Sequence, residues 1–163
     1  MEVAEGVGRA ERPLGEEVDW TPVEFPSREP LRGSHVLLRP VDAAADAEPL
    51  YAVSHPPEGD PAIWAYLHQG PYDSPRALQR TLEEAQRSED QLFFTVVKLP
   101  EERPSGIVSY LRIESEHGVI EIGHIWFGTP LQRTTAATEA IYLLARRAFD
   151  ELGYRRLEWK CTR

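Results

Sequence analysis

The chain has 163 residues, 41% hydrophobic and 28% charged, the balance of one globular domain large enough to bury a core without staples. Its 27 acidic residues outnumber the 18 basic ones and leave a formal charge of -9, which argues against a nucleic-acid partner, because a phosphate backbone asks for a basic stripe. The single cysteine, Cys161, excludes an intrachain disulfide and fits a reducing, cytoplasmic setting, and no apolar run reaches the roughly 20 residues that would place the chain across a membrane.

Residues 1–30 are acidic and carry Pro13, Pro22, Pro26 and Pro30, the composition of a flexible arm. They lack the apolar segment behind basic residues that marks a secretion signal. Trp20 and Phe25 are the residues that would pin the later part of the arm onto a domain spanning residues 31–163. His35–Pro40 reads as a first strand, closed by proline. Asp42 opens an alanine-rich helix, AAADAEPLYAVS, with Pro49 as an irregularity inside it. Residues 55–73, HPPEGDPAIWAYLHQGPYD, are dense in proline and glycine and read as loop with one helical turn near Ile63–Leu67. Ser74 as N-cap and Pro75 at the first helical position start the next helix. Leu78, Leu82 and Ala85 recur in it at helical spacing, and it ends near Ser88.

Leu92–Val97 is β-branched and aromatic, hence a strand. A turn over Leu99–Pro104 leads to a strand over Gly106–Ile113, and Glu116-His117-Gly118 closes a hairpin to a third strand, Val119–Phe127. A helix from Ala136 to Leu152 buries Ala137, Ala140, Ile141, Leu144, Ala148 and Leu152 along one stripe. Gly153 stands where a left-handed cap belongs, and Arg155–Cys161 forms the last strand, in which Cys161 reads as a buried strand residue. The order predicts an α/β fold: a mixed, largely antiparallel sheet with flanking helices, the last strand parallel to Val119–Phe127 through a right-handed crossover.

The junction between Phe127 and the helix carries most of the chemistry. Its polar loop offers Gln132, Arg133, Thr134, Thr135 and small residues at a helix N-terminus, where unpaired N–H groups and a partial positive charge favour an anion. A phosphate or pyrophosphate is the natural guest. His35, His55, His68 and His117 show no metal-ligand spacing, and with one cysteine a metal is not expected.

Four stretches carry a resemblance: Leu37-Leu38-Arg39-Pro40, Glu121-Ile122-Gly123-His124, Gln132-x-x-Thr135-x-Ala137-Thr138-Glu139-Ala140 and Phe149-Asp150-Glu151-Leu152-Gly153-Tyr154. From about Leu31 onward the chain resembles the GCN5-related N-acetyltransferases, and most closely the branch that includes the ribosomal-protein alanine N-acetyltransferases. The resemblance implies an acyl-CoA N-acyltransferase-like fold with acetyl-CoA as co-substrate and no metal. Its pyrophosphate would lie on the N–H groups of Gln132, Arg133, Thr134, Thr135, Ala136, Ala137 and Thr138, with Arg133 reaching a phosphate. Pantetheine would pair with the backbone of Ile125, Trp126 and Phe127, where this strand splays from Arg155–Cys161. Two departures stand out. Thr135 occupies a position where such proteins usually carry glycine. The sequence also stops where they continue with a further helix and two strands, so the domain reads as truncated after residues 155–161.

The implied reaction is direct attack of a primary amine, from a small molecule or a peptide N-terminus, on the thioester. Proximity and electrostatic stabilisation would supply most of the rate. Glu121, a carboxylate in an apolar strand, is the first candidate base. The competing reading pairs it with a neighbouring arginine. His124 is the second candidate, three residues on and therefore on the opposite face by strand alternation; at most one of the two serves as base. Tyr51, Trp64, Tyr66 and Tyr72 either pack a helix onto the sheet or cover the amine through cation–π contact. Two other functions remain open: a non-catalytic acyl-CoA-binding module, and a half-domain completed by another chain adding strands to the Arg155–Cys161 edge. A homodimer is equally open.

Overall fold

The structure, a computed structural model, describes residues 15, 16 and 18–161, so the arm expected over residues 1–30 lies partly outside the described residues. Six strands lie side by side in chain order: β1 (Leu31–Arg32), β2 (Val36–Pro40), β3 (Leu92–Lys98), β4 (Arg103–Glu114), β5 (Val119–Phe127) and β6 (Arg156–Trp159). Strands β1 to β5 pair antiparallel, and β6 joins β5 in parallel, the mixed sheet that the element order predicts. Helix α1 (Ala43–Ser54), a 3-10 turn (Pro61–Trp64) and helix α2 (Pro75–Arg87) connect β2 to β3; helix α3 (Thr135–Arg146) and a π turn (Arg147–Glu151) connect β5 to β6.

Alternation along the strands divides the core into two layers. Leu38, Phe94, Val108, Tyr110, Ile120 and Ile122 face α3 and meet its Ala136, Ala140, Leu143 and Leu144, and Ala148 of the π turn. Ile107 faces the other way, onto Leu50 of α1 and Leu78 and Leu82 of α2. The stripe of α3 is wider than its sequence spacing suggests, because Ala136 and Leu143 join it. The helix also changes pitch after Arg146. The buried Tyr110 hydroxyl donates to the Leu144 carbonyl, taking an acceptor of the helical ladder, and the Leu152 N–H bonds the Arg147 carbonyl five residues back. Arg147 thereby turns inward, and its guanidinium donates to the Glu29 carbonyl and the Ser27 hydroxyl. With Trp20 Nε1 donating to the Glu116 carbonyl and the Tyr154 hydroxyl to the Glu24 carbonyl, residues 20–29 lie against the β4–β5 hairpin and the end of α3. Phe25 is exposed.

Several boundaries differ from the sequence reading. β4 starts at Arg103, inside the expected turn, and the helical turn in the proline-rich loop falls at Pro61–Trp64. β6 ends at Trp159, so Cys161 follows the strand and is exposed, not buried.

Two carboxylates tie the layers together. Asp46 of α1 is fully buried. It is salt-bridged to Arg39, accepts from the Thr95 hydroxyl at 2.6 Å, and accepts from the Asp42 N–H at 2.9 Å. Such a charge is tolerated because every contact around it donates. Glu139 of α3 accepts the N–H groups of Ser34, His35 and Val36 at 2.9, 2.6 and 3.0 Å. A β-carbon at Gly33 would come within 2.4 Å of that carboxyl group, so a side chain there would have to displace the end of Glu139 from the amides it accepts. Burial pushes the Glu139 pKa up, but the amides of His35, Ser34 and Val36 outweigh it and hold the group below its usual 4.5.

Arg39→Ala leaves the Asp46 charge buried and unpaired and should cost about 3–5 kcal/mol in urea unfolding; a loss below 1 kcal/mol would refute the structural role given to the pair. Because the folded-state pKa of Glu139 is depressed, its stabilisation is present above pH 4.5 and is lost as pH falls through the folded-state value. The gap in urea midpoint between the native chain and Glu139→Gln should therefore shrink on acidification from pH 7, and a gap that stays constant would exclude this linkage.

Candidate functional site

β5 builds the site. Against β4 its register runs Tyr110↔Ile122, Ser109↔Gly123 and then Ile107↔Trp126, so His124 and Ile125 together oppose Val108 alone. His124 has a left-handed backbone, with φ of 48°, and the pair forms a β-bulge. The extra residue reverses the alternation beyond it. Ile120, Ile122, Ile125 and Phe127 pack toward α3, whereas Glu121, Gly123, His124 and Trp126 border a cleft on the α2 side. Strand alternation alone puts Glu121 and His124 on opposite faces. The bulge corrects that expectation, and both line the same cleft of about 760 Å³.

Inside the cleft the two candidates differ. Glu121 is buried, and its Oε2 receives Lys160 Nζ at 2.8 Å and lies 3.5 Å from Arg112 Nη1. His124 is open to solvent on one side, while its ring sits 5.0 Å from that of Phe93. Its Nδ1 is 2.9 Å from the Ser109 hydroxyl, which itself lies 3.1 Å from the Gly123 carbonyl. The carbonyl can only accept, so it takes the one hydroxyl proton; Nδ1–H then donates to Ser109 Oγ, and Nε2 keeps the free lone pair. Partial burial lowers the His124 pKa below 6.5, the Glu121 carboxylate pulls it back up, and His68 lowers it further.

The opposite wall is aromatic. His55 is buried and stacks on Tyr51, ring centroids 4.0 Å apart. Its Nε2 accepts the Tyr72 N–H at 2.9 Å, and its Nδ1 lies 2.9 Å from the Ser54 hydroxyl. Burial lowers its pKa below 6.5 and so favours the neutral ring that can accept. Trp64 donates to the Ser54 carbonyl and meets Tyr72 edge-on at 5.3 Å and Trp126 at 5.1 Å. Tyr66 is exposed and borders the same cleft.

The loop before α3 is pinned at its start: the Gly128 N–H bonds the Ser105 carbonyl, the Thr129 N–H bonds the Val53 carbonyl, and a β-carbon at Gly128 would meet Val53 at 2.5 Å. Gln132 donates to the Phe127 carbonyl at 2.9 Å. Thr134 is the N-cap, its hydroxyl accepting the Ala137 N–H, while its carbonyl takes the Thr138 N–H. The amides of Ala137 and Thr138 are therefore already engaged. Those of Gln132, Arg133, Thr135 and Ala136 have no acceptor among the described residues. Ala136 buries its methyl in the core, whereas Gln132, Arg133, Thr135 and Thr138 are exposed. The left-handed residue of the loop is Arg133, with φ of 58°; Thr135 begins the helix, so no backbone strain demands glycine there. Pairing with β6 stops at Ile122↔Trp159, and among the described residues Ile125, Trp126 and Phe127 have no strand partner on that side.

Linear reading missed Ser109, Phe93, Arg112 and Lys160, which reach the site from β4, β3 and the segment after β6. Ser109, a buried hydroxyl in a strand with apolar neighbours, is the one that carried a signal.

A search of curated protein sequences returned no significant match. The sequence family described as the acetyltransferase (GNAT) domain matches residues 35–163. A GCN5-related N-acetyltransferase structure from Brucella melitensis is 35% identical, covering 86% of this chain and 63% of its own, with a TM-score of 0.81. The chain thus spans less than two thirds of that relative. A structure from Chromobacterium violaceum, described as a probable acetyltransferase of the GNAT family, is 31% identical over 91% of this chain and 75% of its own, with a TM-score of 0.78. A GNAT-family acetyltransferase from Bacillus anthracis, 19% identical over 82% of this chain and 74% of its own, shares the fold with a TM-score of 0.63. A capped helix beside an unpaired strand edge, together with the family match over residues 35–163, assigns the chain to the GNAT acetyltransferase family.

Proposed function

We propose that the chain binds acetyl-CoA at the loop before α3 and transfers the acetyl group to a primary amine. The observation that carries this reading is the continuity of two surfaces: Gln132 bonds the last carbonyl of β5, so amides at a helix N-terminus run directly into an unpaired strand edge. The donor set fits a pyrophosphate, with the amides of Gln132, Arg133, Thr135 and Ala136 available, the Arg133 side chain exposed beside them, and a helix dipole behind. The edge at Ile125, Trp126 and Phe127 suits the amide groups of a pantetheine arm, as strand addition does in general. When bound, acetyl-CoA would supply an activated acyl carbon; the amine nitrogen would bond to it as the carbon–sulfur bond breaks, the electron pair leaving on sulfur as the CoA thiolate and the proton of the amine passing to the base.

The chain's own residues then divide the work. His124 is the stronger base. The residue lines the cleft, Nδ1 is engaged by Ser109 and leaves the Nε2 lone pair free, and burial lowers its pKa below 6.5, which favours the neutral ring near pH 7. Glu121 is occupied by Lys160 and Arg112 and acts as a counter-charge beside the imidazole.

Three measurements test these roles. Thr135→Glu places a carboxylate among the donor amides and should weaken CoA binding by at least about tenfold, ~1.4 kcal/mol, in calorimetry; unchanged affinity sinks the loop assignment. His124→Asn should lower kcat/KM by about 10²–10⁴-fold, and an equal or larger loss in Glu121→Gln with little in His124→Asn would reverse the assignment. In an NMR titration His124 should show its midpoint below 6.5, moving lower still in Glu121→Gln because the carboxylate raises it; an upward movement would contradict the pairing.

A further inference from the structure

The cleft beside His124 constrains the acceptor more tightly than the reaction class does. Its floor is Leu82 of α2, Phe93 of β3, and Ile107 and Leu111 of β4; its wall is Trp64, Tyr72 and Trp126. The wall is preformed. Trp64 is 4% exposed and bonded to the Ser54 carbonyl, and the Tyr72 backbone is pinned by His55 Nε2. A volume of about 760 Å³ falls within the roughly 300–1,000 Å³ of small-molecule pockets.

Charge narrows the choice further. The carboxylates on the cleft are Glu84 and Glu121, and its fixed cations are Arg112 and Lys160. Glu121 is already matched by both cations, which leaves Glu84 as the one lining carboxylate outside an ion pair among the described residues, enough for a single ammonium and too little for a polycation. Nor is there an unshared basic cluster for a strongly anionic acceptor. The base itself lies at the border of the apolar floor, its ring 5.0 Å from Phe93. A nitrogen within reach of His124 therefore carries its carbon skeleton across Phe93, Leu111 and Leu82.

We infer that the acceptor is a small primary amine borne on a flat apolar body of one or two rings, seated between the Trp64–Tyr72–Trp126 wall and the Leu82–Phe93–Leu111 floor. The inference rests on the acetyltransferase reading for the direction of the amine, but the recognition it describes is a binding property that does not require turnover. Burial of a ring against aromatic and aliphatic walls supplies the affinity, and a single ammonium needs no more than one proton acceptor.

The test uses the full chain and three probes: phenethylamine, butylamine and spermidine. Dissociation constants come from NMR shift perturbation, with and without CoA, and CoA binding is measured separately by calorimetry. Phenethylamine should bind at least tenfold tighter than either other amine and should move the indole N–H signals of Trp64 and Trp126. Leu111→Gln, which makes the floor polar, should erase that preference, and Trp126→Ala should reduce it. Spermidine binding as tightly as phenethylamine, no phenethylamine binding at millimolar concentration, or binding that leaves both indoles unmoved would each overturn the inference. A chain that gives no heat with CoA yet keeps the amine order would lose the acetyltransferase reading alone.

Discussion

A left-handed backbone at His124 is the constraint on which the site depends. The residue has φ of 48°, a conformation disfavoured for a side chain with a β-carbon. It is held there by the ladder on both flanks, Ser109↔Gly123 before it and Ile107↔Trp126 after it. One extra residue has two consequences. It turns Trp126 and His124 toward the cleft that Glu121 already faces, and it keeps Ile125 and Phe127 on the core that α3 covers. Without the bulge, Trp126 would point into the α3 layer and a side chain the size of Phe127 would point into the cleft. The strain is local and the surrounding pairing outweighs it, as bulges beside functional sites commonly show.

Polar ties then place the helix relative to that strand. Glu139 fastens α3 to three amides of the β1–β2 turn, while Gly128 and Thr129 fasten the preceding loop to Ser105 and Val53. The helix N-terminus is thus held from both ends of its first turns. Small residues matter here for proximity: Gly33 admits the Glu139 carboxyl and Gly128 admits Val53. Ala136 and Ala140 bring α3 close to the sheet. A dipole fixed in position can favour an anion without the ordering cost that a mobile loop would meet on binding.

The cleft is organised by the same economy of contacts. One hydroxyl, Ser109, selects the tautomer of His124, and one imidazole, His55, holds the backbone of the aromatic wall. Both rings have lowered pKa values because burial disfavours the cation, yet their roles differ with exposure. His55 is enclosed by Tyr51, Trp64 and Tyr72 and serves as a hydrogen-bond acceptor; His124 reaches solvent and has a nitrogen to spare. Glu121 has the more conspicuous place in the sequence, a lone acid in an apolar strand, but its charge is already answered by Lys160 and Arg112.

The amino-acid sequence by itself determined the element order from β2 onward, the antiparallel meander with its parallel last strand, the serine cap of α2, and a polar loop at the start of α3. These follow from periodicity, turn residues and capping chemistry, all of which act over a few neighbouring residues. Only the tertiary structure decided which face His124 takes, because a bulge depends on the partner strand's register and leaves no mark on local spacing. It also decided that Glu121 is paired, since Lys160 and Arg112 lie far from it in sequence or across a strand. The exposure of Cys161 and the π turn after Arg146 were settled in the same way: the short pairing of β6 against β5 places the first, and Tyr110, from another strand, accompanies the second by taking the Leu144 carbonyl. Short-range physics wrote the scaffold into the chain; the chemistry of the cleft arises from residues brought together by long-range packing.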